Sequence, residues 1–425
     1  MRGILAFYRR VYRIIGLVIL LCGLIVCPFL GIMIRDAGGI SENIYILYLM
    51  YLVNRVLSFM LFAHKEALLN AAQRLDIVHI AVFAVRSLLQ LTAIVVFRSI
   101  YLYALMLIPG TVLYYVSLDI LSKRKFAQYY PEGKIDEATG RNVMKQVAGV
   151  TISNVLGVSR DSLSTILITS FFGLYIAGKY ANYCAVYEVV IGFFLVTTRA
   201  VQASIGNSIV SETAEKNYEN LTKMEFLHNI VITACTVYML TLYQPFMKMW
   251  MGEALMFPDP FMMLFLLYFH IRAMGEVRNA YFSALGYWWK AKWIFVAEAV
   301  AVILLMICLG KLFGAGGIII APSISVLTVN YFGITNLIFR EYFKTGPGEY
   351  YCNRIVYTVI TVLVSAVSWM VCDLVPYEGV AGIAVRLVSC TLVVAIMIPS
   401  LMYLLKREYM KESVSFVRQI ITVKR

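Results

Sequence analysis

Eleven ionisable side chains fall inside otherwise apolar stretches of this 425-residue chain: Arg55, Arg86, Arg160, Asp161, Glu188, Arg199, Arg272, Glu276, Arg278, Glu298 and Arg386. A charge at mid-membrane depth costs roughly 2.5 to 3.5 kcal/mol on insertion scales, so such residues normally face a bundle interior or a water-filled cavity. Arginines outnumber carboxylates. A guanidinium grips phosphate through two parallel hydrogen bonds and never deprotonates, so a group of them facing inward suits an anionic, phosphate-bearing ligand. The pattern therefore points to a cationic lumen whose binding groups are Arg55, Arg86, Arg160, Arg272 and Arg278. Asp161, Glu188, Glu276 and Glu298 are then the candidates for ion coupling or for charge pairing within that lumen. A plainer role competes for each arginine taken singly. Arg272 and Glu276 stand i, i+4 on one helix, Arg160 and Asp161 could each find a partner across the bundle, and Arg199 and Arg386 lie near span ends where they could snorkel.

The stretch 147–173 is the most polar of these segments, carrying Ser153, Asn154, Ser159, Arg160, Asp161, Ser162, Ser164, Thr165, Thr169 and Ser170. A helix of that composition cannot face lipid along its length, so it is expected to line the lumen, although Ser and Thr also serve as ordinary interhelical hydrogen-bonding groups. Tyr180, Tyr183, Tyr187, Tyr281, Tyr287, Trp288 and Trp289 read mostly as interfacial aromatics, with sugar stacking open for a few.

Other chemistries find no support in local spacing. His64, His79, His228 and His270 are scattered, and no Ser/His/Asp, paired-carboxylate or Cys/His arrangement assembles. The eight cysteines include no CxxC and read as small hydrophobes. No GxxxxGK[ST] or GxGxxG element follows a plausible strand, so no nucleotide or other cofactor is expected, and the chain does not read as an enzyme. Energy for any transport must come from an ion gradient, the membrane potential or use of the cargo elsewhere.

The elements that must position these residues are apolar helices. Twelve stretches of about 20 residues, near 13–34, 44–63, 77–97, 100–121, 147–173, 177–198, 230–250, 260–285, 293–312, 315–339, 355–375 and 380–405, are each long enough to cross a hydrocarbon core of about 30 Å. The chain is 61% hydrophobic and 14% charged, which excludes an ordinary soluble domain. Its net charge of +13 follows topology rather than nucleic-acid binding. Lys and Arg gather at alternate junctions: Arg2 to Arg13, Lys65 and Arg74, Lys123 to Lys145, Lys216 and Lys223, Lys290 and Lys292, Arg340 to Arg354, and the tail from Lys406. By the positive-inside rule that side is cytoplasmic, and with an even span count both termini lie there. The expected organisation is an N-terminal lobe 1–121, a cytoplasmic linker 122–146, a C-terminal lobe 147–340, and two further helices with a basic tail, 341–425. The segment 211–225 has the composition of a cytoplasmic surface helix, and the tail is a solvated basic end or lies on the anionic leaflet.

Several stretches resemble the polysaccharide-transport family, the oligosaccharide flippases of the MOP/MATE-like exporter superfamily. They are FYRRVYRIIGLVILLCGLIVCPFLGIMI at the start, HKEALLNAAQRLD, SFFGLYIAGKYANY after Asp161, IGNSIVSETAEKNYENLTKMEF from Ile205 and LYQPFMKMWMG from Leu242. The resemblance implies an all-α polytopic fold of about twelve helices in two lobes around a central cavity. It further implies transport of an undecaprenyl-diphosphate-linked oligosaccharide across the bacterial cytoplasmic membrane for lipopolysaccharide, O-antigen or capsule synthesis. Implied partners are that lipid-linked substrate, membrane lipids and other polysaccharide-assembly proteins, with no nucleic acid. Two departures stand out. Met1 falls where the third helix of the family would begin, which leaves four helices in the first lobe, and Phe282 and Ser283 replace a Lys-Asp pair carried by similar members. The competing readings are a cation or drug exporter of the same superfamily, which calls for an acidic lumen, a membrane-embedded glycan polymerase, which calls for a large outer loop, and a non-transporting truncated product.

Overall fold

The computed structural model describes residues 2–33, 43–61, 65–66, 69, 76–125 and 137–405. Residues 126–136 of the expected linker and the basic tail after 405 lie outside the described residues, as does His64. The chain forms an all-helical multi-pass membrane fold with two compact units, Met1–Met144 and Lys145–Arg425.

The first unit contains α1 (Arg2–Val26), continued by a 3-10 turn at Cys27–Phe29 and a short α2 (Leu30–Met33), then α3 (Ile44–Met60), α4 (Asp76–Val95), α5 (Ile100–Leu105) and α6 (Leu107–Lys125). α1 lies against α3, and both α3 and α4 pack on α6. With lipid as apolar as leucine, small residues and polar contacts hold such helices together. Here Gly23 abuts Leu52 and accepts a hydrogen bond at its carbonyl from Tyr48 (2.8 Å), while Thr111 bonds Asn54 across the interior (2.7 Å). Asp119 anchors the base of α6 through ion pairs with Lys65 and Lys123.

The second unit begins within α7 (Glu137–Ser211) and continues through α8 (Ala214–Met251), α9 (Asp259–Met274), α10 (Glu276–Leu285), α11 (Lys292–Ser325), α12 (Phe332–Ile338), α13 (Gly348–Asp373) and α14 (Gly379–Leu405). Two apolar helical runs, Val143–Thr198 and Lys292–Phe343, are 56 and 52 residues long. Straight helices of that length would reach about 80 Å, far beyond the hydrocarbon slab, so each must bend back. The bends fall at Gly173 (φ +80°) and Gly314 (φ +63°), where only a residue without Cβ adopts the backbone cheaply. Each run thereby covers two of the expected spans.

Three local expectations are corrected. The span expected over 260–285 is broken at Gly275 into α9 and α10. The segment 211–225 is no separate surface helix. Thr213 caps α8 through a bond to the Lys216 amide (3.3 Å), and Asn217, Leu221 and Glu225 are already buried on its first turns. Tyr180, Tyr183, Tyr187 and Tyr281, expected mostly as interfacial aromatics, are buried against other side chains, where hydroxyls find internal partners. Tyr183 donates to Gln244 (2.6 Å), Tyr281 donates to the Asn217 carbonyl (3.1 Å), and the Tyr187 hydroxyl accepts from Arg272 (3.0 Å). Tyr183 also packs its ring against Tyr243, Phe257 and Phe265, the aromatic centre of the unit.

Candidate functional site

The polar face of α7 faces a cavity of about 510 Å³ inside the second unit. Ser153, Gly157 and Arg160 recur at helical spacing along one stripe, which is why a single helix supplies so much of one wall. Other walls come from α9, α10, α11 and the segment that follows α11. Arg160, Asp161, Arg272, Glu276, Arg278 and Glu298 all line this cavity.

The charges are organised in pairs. Arg160 reaches across to Glu298 (2.6 Å) and bonds its neighbour Asp161 (3.3 Å). Asp161 accepts a further bond from the Tyr268 hydroxyl (2.9 Å) and lies 3.8 Å from Arg272. The Arg272 guanidinium stands beside the stacked rings of Tyr187 and Tyr268, 6.0 and 5.8 Å from their centroids. Glu298 is held on its second oxygen by the Asn330 amide (2.7 Å). Buried charges are tolerable only when paired and fully hydrogen-bonded, and this network meets that condition.

Arg278 is arranged differently. It is 2% exposed, and its bonds run to neutral acceptors: the Tyr331 carbonyl (2.7 Å), Thr335 (3.2 Å), Asn279 (2.7 Å) and Asn330 (3.4 Å). Its Nε has no hydrogen-bond partner among the described residues. The Tyr331 carbonyl belongs to a π-helical turn, Val326–Tyr331, and a second such turn follows at Phe339–Phe343. Widened turns of this kind free backbone groups and occur often at functional sites. Asn330, in the same turn, joins Glu298 to Arg278, so one chain of contacts runs Asp161, Arg160, Glu298, Asn330, Arg278.

Three guanidinium groups and three carboxylates line this cavity, so it is balanced in charge rather than net positive. A second hollow of about 270 Å³ shares Asp161 and is lined by Ser162, Thr165, Tyr187 and Glu188. The other polar residues of the stripe divide between roles. Ser164 is buried and bonds the Arg160 carbonyl, and Thr169 bonds the Thr165 carbonyl of its own helix. Arg55 and Arg86 belong to the first unit, where Arg55 is exposed beside the Phe59 ring and Arg86 packs on Gly110. Arg386 bonds the Val375 and Tyr377 carbonyls at the α13–α14 turn, and the Arg199 side chain lies outside the described residues.

Sequence reasoning missed Tyr268, Asn330 and the role of Tyr187. Tyr180, Tyr183 and Tyr187 stand at i, i+3 and i+7, the spacing of one buried helix face, and that signal was available. It also missed a buried pair between Glu225 and Arg354, with Tyr350 donating to the same carboxylate (3.0 Å).

No protein-family profile matches the chain, and no curated protein matches it. Among solved structures it is similar to the lipid II flippase MurJ in an inward closed conformation. The match has a TM-score of 0.67 at 15% identity and covers 93% of this chain and 83% of that one. The chain has a MurJ-like fold. At that identity the likeness extends to architecture alone: a polytopic helical bundle.

Proposed function

We propose that this chain is a flippase that moves an undecaprenyl-diphosphate-linked oligosaccharide outward across the bacterial cytoplasmic membrane, for surface polysaccharide synthesis, with both termini cytoplasmic. The observation that carries this reading is the buried guanidinium cluster of Arg160, Arg272 and Arg278 within a fold shared with a lipid II flippase. Arg55 and Arg86 are proposed as further substrate contacts from the N-terminal lobe. The domain division at 121 and 146 and the polysaccharide-transport assignment belong to the same reading.

The carboxylates in the cavity act as stand-ins for the cargo. Asp161 and Glu298 occupy the guanidinium forks of Arg160 and Arg272 that a diphosphate would take. An empty cavity with Arg160 and Arg272 unpaired would be costly, and internal carboxylates remove that cost until substrate arrives. Bringing about two negative charges into a balanced site leaves it net negative. Entry of a cation beside Asp161, Glu188, Glu276 or Glu298 restores the balance and couples transport to an ion. A cation exporter calls for an excess of carboxylates, which this cavity does not have.

The test is genetic and biochemical. A strain lacking the chain is expected to accumulate lipid-linked glycan on the cytoplasmic leaflet and to lose the surface glycan. Normal surface display without accumulation overturns the assignment.

A further inference from the structure

A second large hollow, about 720 Å³, lies apart from the arginine cavity at the end of the second unit where two basic junctions meet. Its rim carries Lys290 from the turn before α11, Arg340 from the second π-helical turn, and Lys344 from the segment leading into α13. All three are exposed. One carboxylate serves them: Glu341 bonds Lys290 (2.7 Å) and Arg340 (3.2 Å), and it holds the Lys290 ammonium above its ordinary range through that hydrogen bond. Lys344 has no carboxylate partner among the described residues. Three cations against one carboxylate leave a surplus of two positive charges at the rim.

The backbone at Lys344 gives independent evidence. It closes the π-helical turn in the left-handed conformation, φ +57°, a position normally given to glycine. A lysine there is strained, and outliers of this kind cluster at ligand clamps. The opposite wall is apolar, formed by Ile294, Gly333 and Leu337. Beyond it, Trp293 and Phe332 are exposed, at 70% and 42%, and Lys292 sits 3.6 Å from the centre of the Trp289 ring. Aromatic rings alternating with lysine mark headgroup depth.

We propose that this hollow binds the phosphate headgroup of an anionic phospholipid, with the glycerol and first acyl carbons along the Ile294–Leu337 wall. The ligand needs one negative phosphate and an apolar tail, and the rim and wall supply the complement of each. The site is separate from the transport cavity and does not depend on which cargo is carried.

The experiment uses the full chain in phosphatidylcholine nanodiscs doped with phosphatidylglycerol, with bound lipid counted by native mass spectrometry. Phosphatidylglycerol is expected to be retained preferentially, and Lys344→Gln and Arg340→Gln each to lower retention about five-fold. Lys344→Gly separates binding from folding, because it relieves the backbone strain while removing the cation. Raised thermal stability together with lowered lipid retention is expected. Unchanged retention in Lys344→Gln/Arg340→Gln, or equal retention of phosphatidylcholine, overturns the proposal. Displacement of the lipid by millimolar inorganic phosphate alone assigns the hollow to a free anion and overturns it equally.

Discussion

Glu298 closes on Arg160 at 2.6 Å although 138 residues separate them in the chain, and this contact ties α11 to the polar face of α7. Both side chains are about 90% buried, at 9% and 11% exposure, so the pair is priced by desolvation rather than by surface screening.

Removing one partner strands the other. Glu298→Ala is expected to destabilise the second unit by about 3 to 5 kcal/mol, read as a fall in melting temperature in detergent. The double change Arg160→Met/Glu298→Met should regain most of that loss while transport stays absent. A double variant that transports would remove the pair from the site.

Arg278 tests the neutral acceptor set. Arg278→Lys keeps the charge but cannot span Tyr331, Thr335 and Asn279 together, and the hydrogen bonds lost to a charged donor cost about 1 to 3 kcal/mol. Glycan export is expected to fall at least about ten-fold, measured against protein present in the membrane. Wild-type export by this variant would show that a point charge is sufficient there.

Gly157 lines the cavity, and a side chain built on it meets open space. Gly157→Leu should therefore fold with its stability unchanged or raised by up to about 1 kcal/mol, since leucine suits a helix interior better than glycine, and still block the cavity. Normal folding with lost transport is the expected pair of results, from a melting curve and a flipping assay in proteoliposomes. Full transport would place the path of the cargo elsewhere.

Tyr268→Phe removes one hydrogen bond to Asp161 and keeps the ring against Tyr187. The expected cost is about 1 kcal/mol, with export reduced less than by loss of Arg278. A larger effect on export than that of Arg278→Lys would make the hydroxyl a substrate contact.

The helices were legible in the sequence because lipid imposes one rule on the backbone, and a run of about 20 apolar residues has few alternatives. The stripe on α7 was legible for the same reason: Arg160, Asp161 and their serines cannot face hydrocarbon. What could not be read was how the charges pair. Glu298 is as isolated in sequence as Arg278, yet the carboxylate meets a guanidinium across the bundle while the arginine meets neutral carbonyl, amide and hydroxyl oxygens. That difference depends on the helix break at Gly275 and on the widened turn before Tyr331, neither of which leaves a periodicity signal. Tyr187 was misplaced because its chemistry fits an interface and a buried polar network equally well.

The widened turn at Val326–Tyr331 has a consequence for how this chain tolerates insertion and deletion. A π-helical turn holds one residue more than an α-helix would over the same rise, so deleting a single residue there restores regular winding, leaves the flanks facing as before and withdraws Asn330 and the Tyr331 carbonyl from their present positions. Asn330 could then no longer face Glu298 and Arg278 at once, and the two halves of the chamber would lose electrical contact without any charged residue being touched. A frame-preserving loss of one codon at this point is therefore predicted to be more damaging than most point changes in the wall itself.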